Sequence, residues 1–117
     1  MNYKIAVASR DGKFINEHFG RAERFLIFDL ETGNYIEERK NEKICQNGEH
    51  ESSAFDRTSE LLSDCKAIVI SKIGFGASSY MESKGFDLFE AGMPISDAVE
   101  KLQKYYAEGG KAYVDNI

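Results

Sequence analysis

The chain has 117 residues and a mass of 13.2 kDa, the size of a single domain. Its 42% hydrophobic and 30% charged residues exclude a disordered or membrane-embedded polypeptide, and no apolar run approaches the ~20 residues that span a bilayer. Fifteen Lys and Arg stand against 20 Asp and Glu, so the net charge of −5 argues against non-specific nucleic-acid binding, which needs a basic face. The only soft metal ligands of Cys or His type are Cys45, Cys65, His18 and His50. With so few cysteines and no basic-then-apolar leader pattern, a cytoplasmic protein with free thiols is expected.

Along the chain, Lys4–Ala8 is a short apolar run and reads as a first, buried strand. A polar segment, Ser9–Glu17, follows, with Asp11-Gly12 as a turn signal. Phe25–Leu30 reads as a second strand, Glu31–Asn34 as a hairpin connection, and Tyr35–Arg39 as a polar third strand at a sheet edge. After a loop over 41–51, Ala54, Phe55, Thr58, Leu61 and Leu62 fall on one helical face, with Ser52 or Ser53 as N-cap.

Lys66–Ser71 is the strongest strand signal. Ile73–Ala77 is expected to be a glycine turn leading into a helix over 77–84, closed by Gly85. Phe86–Phe89 reads as a last strand, and Ala98, Val99, Leu102, Tyr105 and Tyr106 as the packing stripe of a last helix, capped by Ser96 and ended by Gly109-Gly110. The tail over 108–117 is expected to be loosely held.

The order β-β-β-α-β-α-β-α predicts an α/β fold. Short connections make the first three strands an antiparallel meander, and helical crossovers make the last two parallel to their neighbours. The simplest sheet is five-stranded, in the order 3-2-1-4-5, in one domain over 1–117.

That topology brings particular residues to one edge. The ends of strands one, three and four and the start of strand two share it, together with the starts of the first two helices, whose free N–H groups favour anions. Arg10, Arg21, Arg24 and Lys72 lie in or beside the same loops, so this edge is expected to be positive although the chain is acidic.

His18 reads either as a loop histidine hydrogen-bonded to backbone or as a metal ligand. Cys45 and His50, five apart in a glycine-containing loop, fall well short of a four-ligand zinc site. Cys65 reads as a small buried hydrophobe. Gly74 and Gly76 read as a tight strand-to-helix turn; the alternative, a phosphate cradle, lacks the Gly-Lys-Ser/Thr ending.

Three stretches carry a resemblance: Lys4-Ile5-Ala6-Val7-Ala8-Ser9, His18-Phe19-Gly20-Arg21-Ala22, and the block Leu62–Gly74. Together they resemble the dinitrogenase iron-molybdenum cofactor biosynthesis family, which includes NifX-type carriers and the C-terminal domain of NifB. The similarity extends over about Met1–Tyr106. The resemblance implies a ribonuclease H-like sheet and non-catalytic binding or carriage of an iron–sulfur cluster or an iron-molybdenum cofactor precursor. It also implies metallocluster assembly or acceptor proteins as partners, with neither nucleic acid nor membrane among them.

On the matching positions, His18 is the leading candidate ligand and Arg21 a candidate to pair with an anionic cluster. Cys45 and His50 are further candidate metal ligands. Ser9, Arg10, Phe19, Gly20, Lys72, Gly74 and Gly76 complete the candidate cofactor-binding set. At Ser71-Lys72 the pattern is nearer the NifB-like branch.

Three other functions are compatible with such a sheet. A nucleic-acid hydrolase needs several carboxylates around magnesium, and the first strand carries no Asp or Glu. A flavin or nucleotide binder lacks a phosphate-loop signal. A regulatory or protein-interaction domain that keeps the fold without a cluster is the serious rival to a carrier.

Overall fold

A computed structural model describes residues 3–41 and 51–109, with residues 51–53 described at the backbone only. The strands are β1 (Lys4–Ala8), β2 (Arg24–Asp29), β3 (Tyr35–Lys40), β4 (Ala67–Ile70) and β5 (Asp87–Glu90), and the helices are α1 (Glu51–Leu61), α2 (Phe75–Ser83) and α3 (Ile95–Ala107). A 3-10 turn, Phe19–Arg21, precedes β2. They form one five-stranded sheet in the order β3-β2-β1-β4-β5, as the sequence predicts. The β1–β2 and β2–β3 pairs are antiparallel, and β1–β4 and β4–β5 are parallel. All strands except β2 therefore run the same way, and their carboxyl ends share one edge.

The period-two alternation of the strands sorts side chains onto two helix-covered faces. Ile5, Val7, Leu26, Val69 and Phe89 pack beneath Ala98, Val99, Leu102 and Tyr106 of α3. Ala6, Ala8, Phe25, Ile27, Ile68 and Ile70 face the other way, against Leu62 after α1 and Ala77 and Met81 of α2. All four residues of β4 are buried, which is why its sequence is an unbroken apolar run rather than an alternating one. The edge strand β3 is mostly exposed and carries Glu37, Glu38, Arg39 and Lys40, charges that discourage edge-to-edge pairing.

The strand limits shift by about a residue, and all three helix starts differ from expectation. The second helix starts at Phe75, so Phe75 and Gly76 form its first turn; Gly74 is extended, and its carbonyl accepts the first helical bond from the Ser78 amide at 2.9 Å. The first helix starts at Glu51, which puts Ser52 and Ser53 inside its first turn instead of at the cap. The third starts at Ile95 behind Pro94, so Ser96 is inside it. Its cap is tertiary: the Ile95 amide donates to the Lys13 carbonyl at 2.8 Å, while Asp97 adds a favourable charge to the first turn.

Gly85 ends α2 at φ +96°, as expected for a left-handed terminator. At the end of α3, Glu108 and Gly109 still donate to the Lys104 and Tyr106 carbonyls; the tail from 110 onward lies outside the described residues.

Candidate functional site

The carboxyl edge is built from three segments. The first is the turn after β1. Asp11 accepts backbone N–H bonds from Lys13 and Phe14, at 2.9 and 3.0 Å, and these hold its carboxyl below the usual carboxylate range. The Ser9 hydroxyl is buried, donates to Asp11 at 3.2 Å and accepts from the Gly12 amide at 2.9 Å. Both its roles are therefore spent on shaping the loop.

The second segment is His18–Ala22. The Phe19 amide donates to the Lys72 carbonyl at 2.9 Å and the Ser71 amide to the Glu17 carbonyl at 3.0 Å, so the chain at His18 runs beside Lys72 as a one-residue parallel extension of the sheet. The Phe19 ring turns inward, 6.5 Å from the Phe25 ring and 6.2 Å from that of Phe55. It anchors the turn from beneath, while His18, Gly20 and Arg21 stay exposed. Asn41 bolts this segment down: its amide nitrogen donates to the Ala22 carbonyl at 2.9 Å and its oxygen accepts from Thr58 at 3.1 Å, all buried.

The third segment is Ser71–Gly76, between β4 and α2. The Ile73 amide donates to Glu90 at 2.9 Å, which ties it to the end of β5. The N-terminus of α2 has no side-chain cap and no acidic residue in its first turn.

The four predicted cations separate into two kinds. Arg10 lies 3.5 Å from the buried Glu17 carboxylate. Arg24 is 3.2 Å from Glu38, and its guanidinium also donates to the Ser9 and Arg10 carbonyls, so it acts as a brace. Arg21 and Lys72 are exposed and have no carboxylate within 4.0 Å among the described residues. Of the four predicted cations, Arg21 and Lys72 are therefore the two left without a carboxylate partner among the described residues.

The glycines divide in the same way. Gly12, Gly33, Gly85 and Gly109 have positive φ, which the fold requires. Gly20, Gly74, Gly76 and Gly92 do not, and a Cβ on any of them would meet nothing within 4 Å. All four lie at the carboxyl edge. They leave backbone bare on its outer side, where packing within the chain does not demand it.

His18 is the one predicted ligand inside the described residues, and its imidazole makes no hydrogen bond with them. Cys45 and His50 lie outside them, so their predicted approach to His18 does too. Among the described residues no three His, Cys, Asp or Glu side chains cluster as a metal site. Cys65 is buried at the opposite edge, and burial pushes its thiol up to about 12, so it remains a protonated core group as expected.

Sequence reasoning missed Asn41, Glu17, Gly92 and Phe75. The first two give no local signal, whereas an aromatic between two glycines was visible in Gly74-Phe75-Gly76. A groove of about 670 Å³ lined by residues including Phe14, Phe28, Val99 and Gln103 lies along α3 and holds none of the predicted site residues.

Comparison with known proteins shows the family and the fold. The family described as "Dinitrogenase iron-molybdenum cofactor" matches residues 1–105, and the chain belongs to that family. Over 104 residues it is 35% identical to the FeMo cofactor biosynthesis protein NifB of Frankia alni, covering 84% of this chain and 20% of the relative. The corresponding protein of Azotobacter vinelandii is 31% identical over 114 residues, covering 92% of this chain and 23% of its own. The chain thus spans about a fifth of the length of these relatives. Its fold is similar to that of the apo orange protein of Desulfovibrio gigas, with a TM-score of 0.66 at 18% identity over 94% of this chain and 91% of the other.

Proposed function

We propose that the chain binds and carries, without catalysing a reaction on it, an iron–sulfur cluster or an iron-molybdenum cofactor precursor at the carboxyl edge of its sheet, and passes it to metallocluster assembly or acceptor proteins. The observation that carries this reading is the exposed His18 imidazole, fixed through backbone beside Lys72 and followed closely by Arg21, with neither cation neutralised among the described residues. An anionic cluster needs an imidazole or thiolate ligand, positive surroundings and an open rim. Family membership supports the same class of cargo.

Each group has a task in this reading. His18 supplies a ligand nitrogen, and Cys45 and His50 are the further candidate ligands. Arg21 and Lys72 offset the negative charge of the cargo. The bare backbone at Gly20, Gly74 and Gly76 permits close approach, and the uncapped amides of α2 contribute partial positive charge. Ser9, Arg10 and Phe19 serve the site indirectly, by shaping and anchoring its loops. A carrier must release what it holds, and a few ligands on a surface edge suit release better than a closed four-ligand cage.

The test is anaerobic reconstitution with ferrous iron and sulfide, with and without molybdate, read by visible absorption and by iron and sulfide analysis. The reading expects stoichiometric uptake with charge-transfer absorption. A wild-type protein that takes up no iron or sulfide would leave the interaction-domain reading in its place.

A further inference from the structure

Four large apolar side chains are well exposed among the described residues, and one differs from the rest: Phe75 is 85% exposed, against 42–54% for Phe14, Tyr35 and Ile36. The Tyr35 ring has an intramolecular partner, 5.7 Å away in Phe28, and the backbone at Phe14 is bridged to Pro94. The Phe75 ring has no aromatic neighbour among the described residues. It sits in the first turn of α2 between Gly74 and Gly76, so no adjacent side chain shields it. Lys72 and Arg21, exposed and without carboxylate partners among the described residues, flank the same edge.

We infer that Phe75 is the anchor of a protein-docking surface whose partner presents an apolar recess rimmed by Asp and Glu. Aromatic residues and Arg are enriched at protein interfaces, and a carboxylate rim complements Lys72 and Arg21 on the same edge. A nucleic acid or an anionic membrane is a poorer match. Glu82 on α2 itself and Glu90 at the end of β5 are exposed, and the chain carries a net charge of −5. The inference rests in part on the carrier reading, because a carrier must meet the protein that gives or receives its cargo, and Phe75 stands at the rim of the proposed cargo site.

The experiment places p-benzoylphenylalanine at position 75 of the full chain, in the cell of origin, and irradiates it. The cross-linked protein is then purified and titrated with wild-type chain and with Phe75→Ala. The expected result is an adduct to a protein segment that combines apolar residues with Asp or Glu. Affinity for that protein should fall about tenfold or more in Phe75→Ala and should fall further with rising ionic strength. Unchanged affinity in Phe75→Ala, adducts confined to lipid or nucleic acid, or no adduct at all would overturn the inference.

Phe75→Ala should melt at the wild-type temperature, since the ring is not packed. Iron and sulfide uptake, measured on the same samples, separates the two proposals. Lost docking with intact uptake supports both. Lost docking in a chain whose wild type takes up no iron keeps the docking surface and removes the cargo.

Discussion

The two ends of the sheet treat polar groups in opposite ways. At the amino edge a cluster of charged groups is spent inside the chain. Tyr106 donates to Asp87, which also lies 3.8 Å from Lys66. Asp64 receives Arg39 through two nitrogens, at 2.7 and 3.0 Å, and Lys4 at 3.1 Å. Burial, reinforced by Asp87, pushes the Tyr106 phenol well above its ordinary range, and the Arg39 hydrogen bond holds the Asp64 carboxyl far below its own. At the carboxyl edge His18, Arg21 and Lys72 are left exposed, four glycines leave backbone bare, and an aromatic ring faces water. Groups that satisfy one another stabilise the fold; groups left unsatisfied on rigid elements are available to something else.

Substitutions at the two ends should therefore separate stability from binding. The largest stability loss is expected from Asn41→Ala. It removes the bolt beneath the His18 turn and strands the Ala22 carbonyl and Thr58 hydroxyl in the interior, at a cost of about 2–3 kcal/mol in urea unfolding. Iron uptake should weaken with it, because the turn loses its anchor. At the amino edge, Tyr106→Phe should cost about 1–1.5 kcal/mol and leave uptake unchanged; a change in uptake would break the division between the edges.

A smaller effect, about 1 kcal/mol or less for so exposed a carboxylate, belongs to Asp64. Its folded pKa is depressed, so its contribution is present above the unfolded value near ~3.9 and is lost as pH falls through the folded value. Asp64→Asn should lower stability at neutral pH and flatten the acid limb of the stability curve. The smallest effect is opposite in sign. Gly76→Ala should raise stability by about 0.5–1 kcal/mol, since nothing in the chain opposes a Cβ in that helical turn, yet it should reduce iron and sulfide uptake. Unchanged uptake in this variant would remove the bare backbone from the account.

Much of this contrast was legible in the sequence, and the misses have physical causes. The apolar run of β4 and the stripe of α3 depend on burial alone, so periodicity finds them. The start of α2 was obscured because a glycine and an exposed Phe occupy its first turn, against the usual pattern. The cap of α3 was missed because Lys13, distant in sequence, supplies it. Within the proposed site, His18, Gly20, Arg21, Lys72, Gly74 and Gly76 are candidates that local motifs suggest. The inward turn of Ser9 and Phe19 could not be read in this way, because burial of a loop residue is decided by tertiary packing. The same holds for Arg10 and Arg24, whose partners Glu17 and Glu38 follow no local spacing rule.

The central claim is that the carboxyl edge, and not the buried thiol at the other end, takes the metal cargo. The most direct measurement is iron and sulfide uptake under anaerobic reconstitution for wild type, His18→Ala and Cys65→Ala side by side, with thermal melts confirming that each variant is folded. The account predicts that His18→Ala loses most of the uptake and that Cys65→Ala retains it. Full uptake in His18→Ala, or loss of uptake in a folded Cys65→Ala, would contradict it.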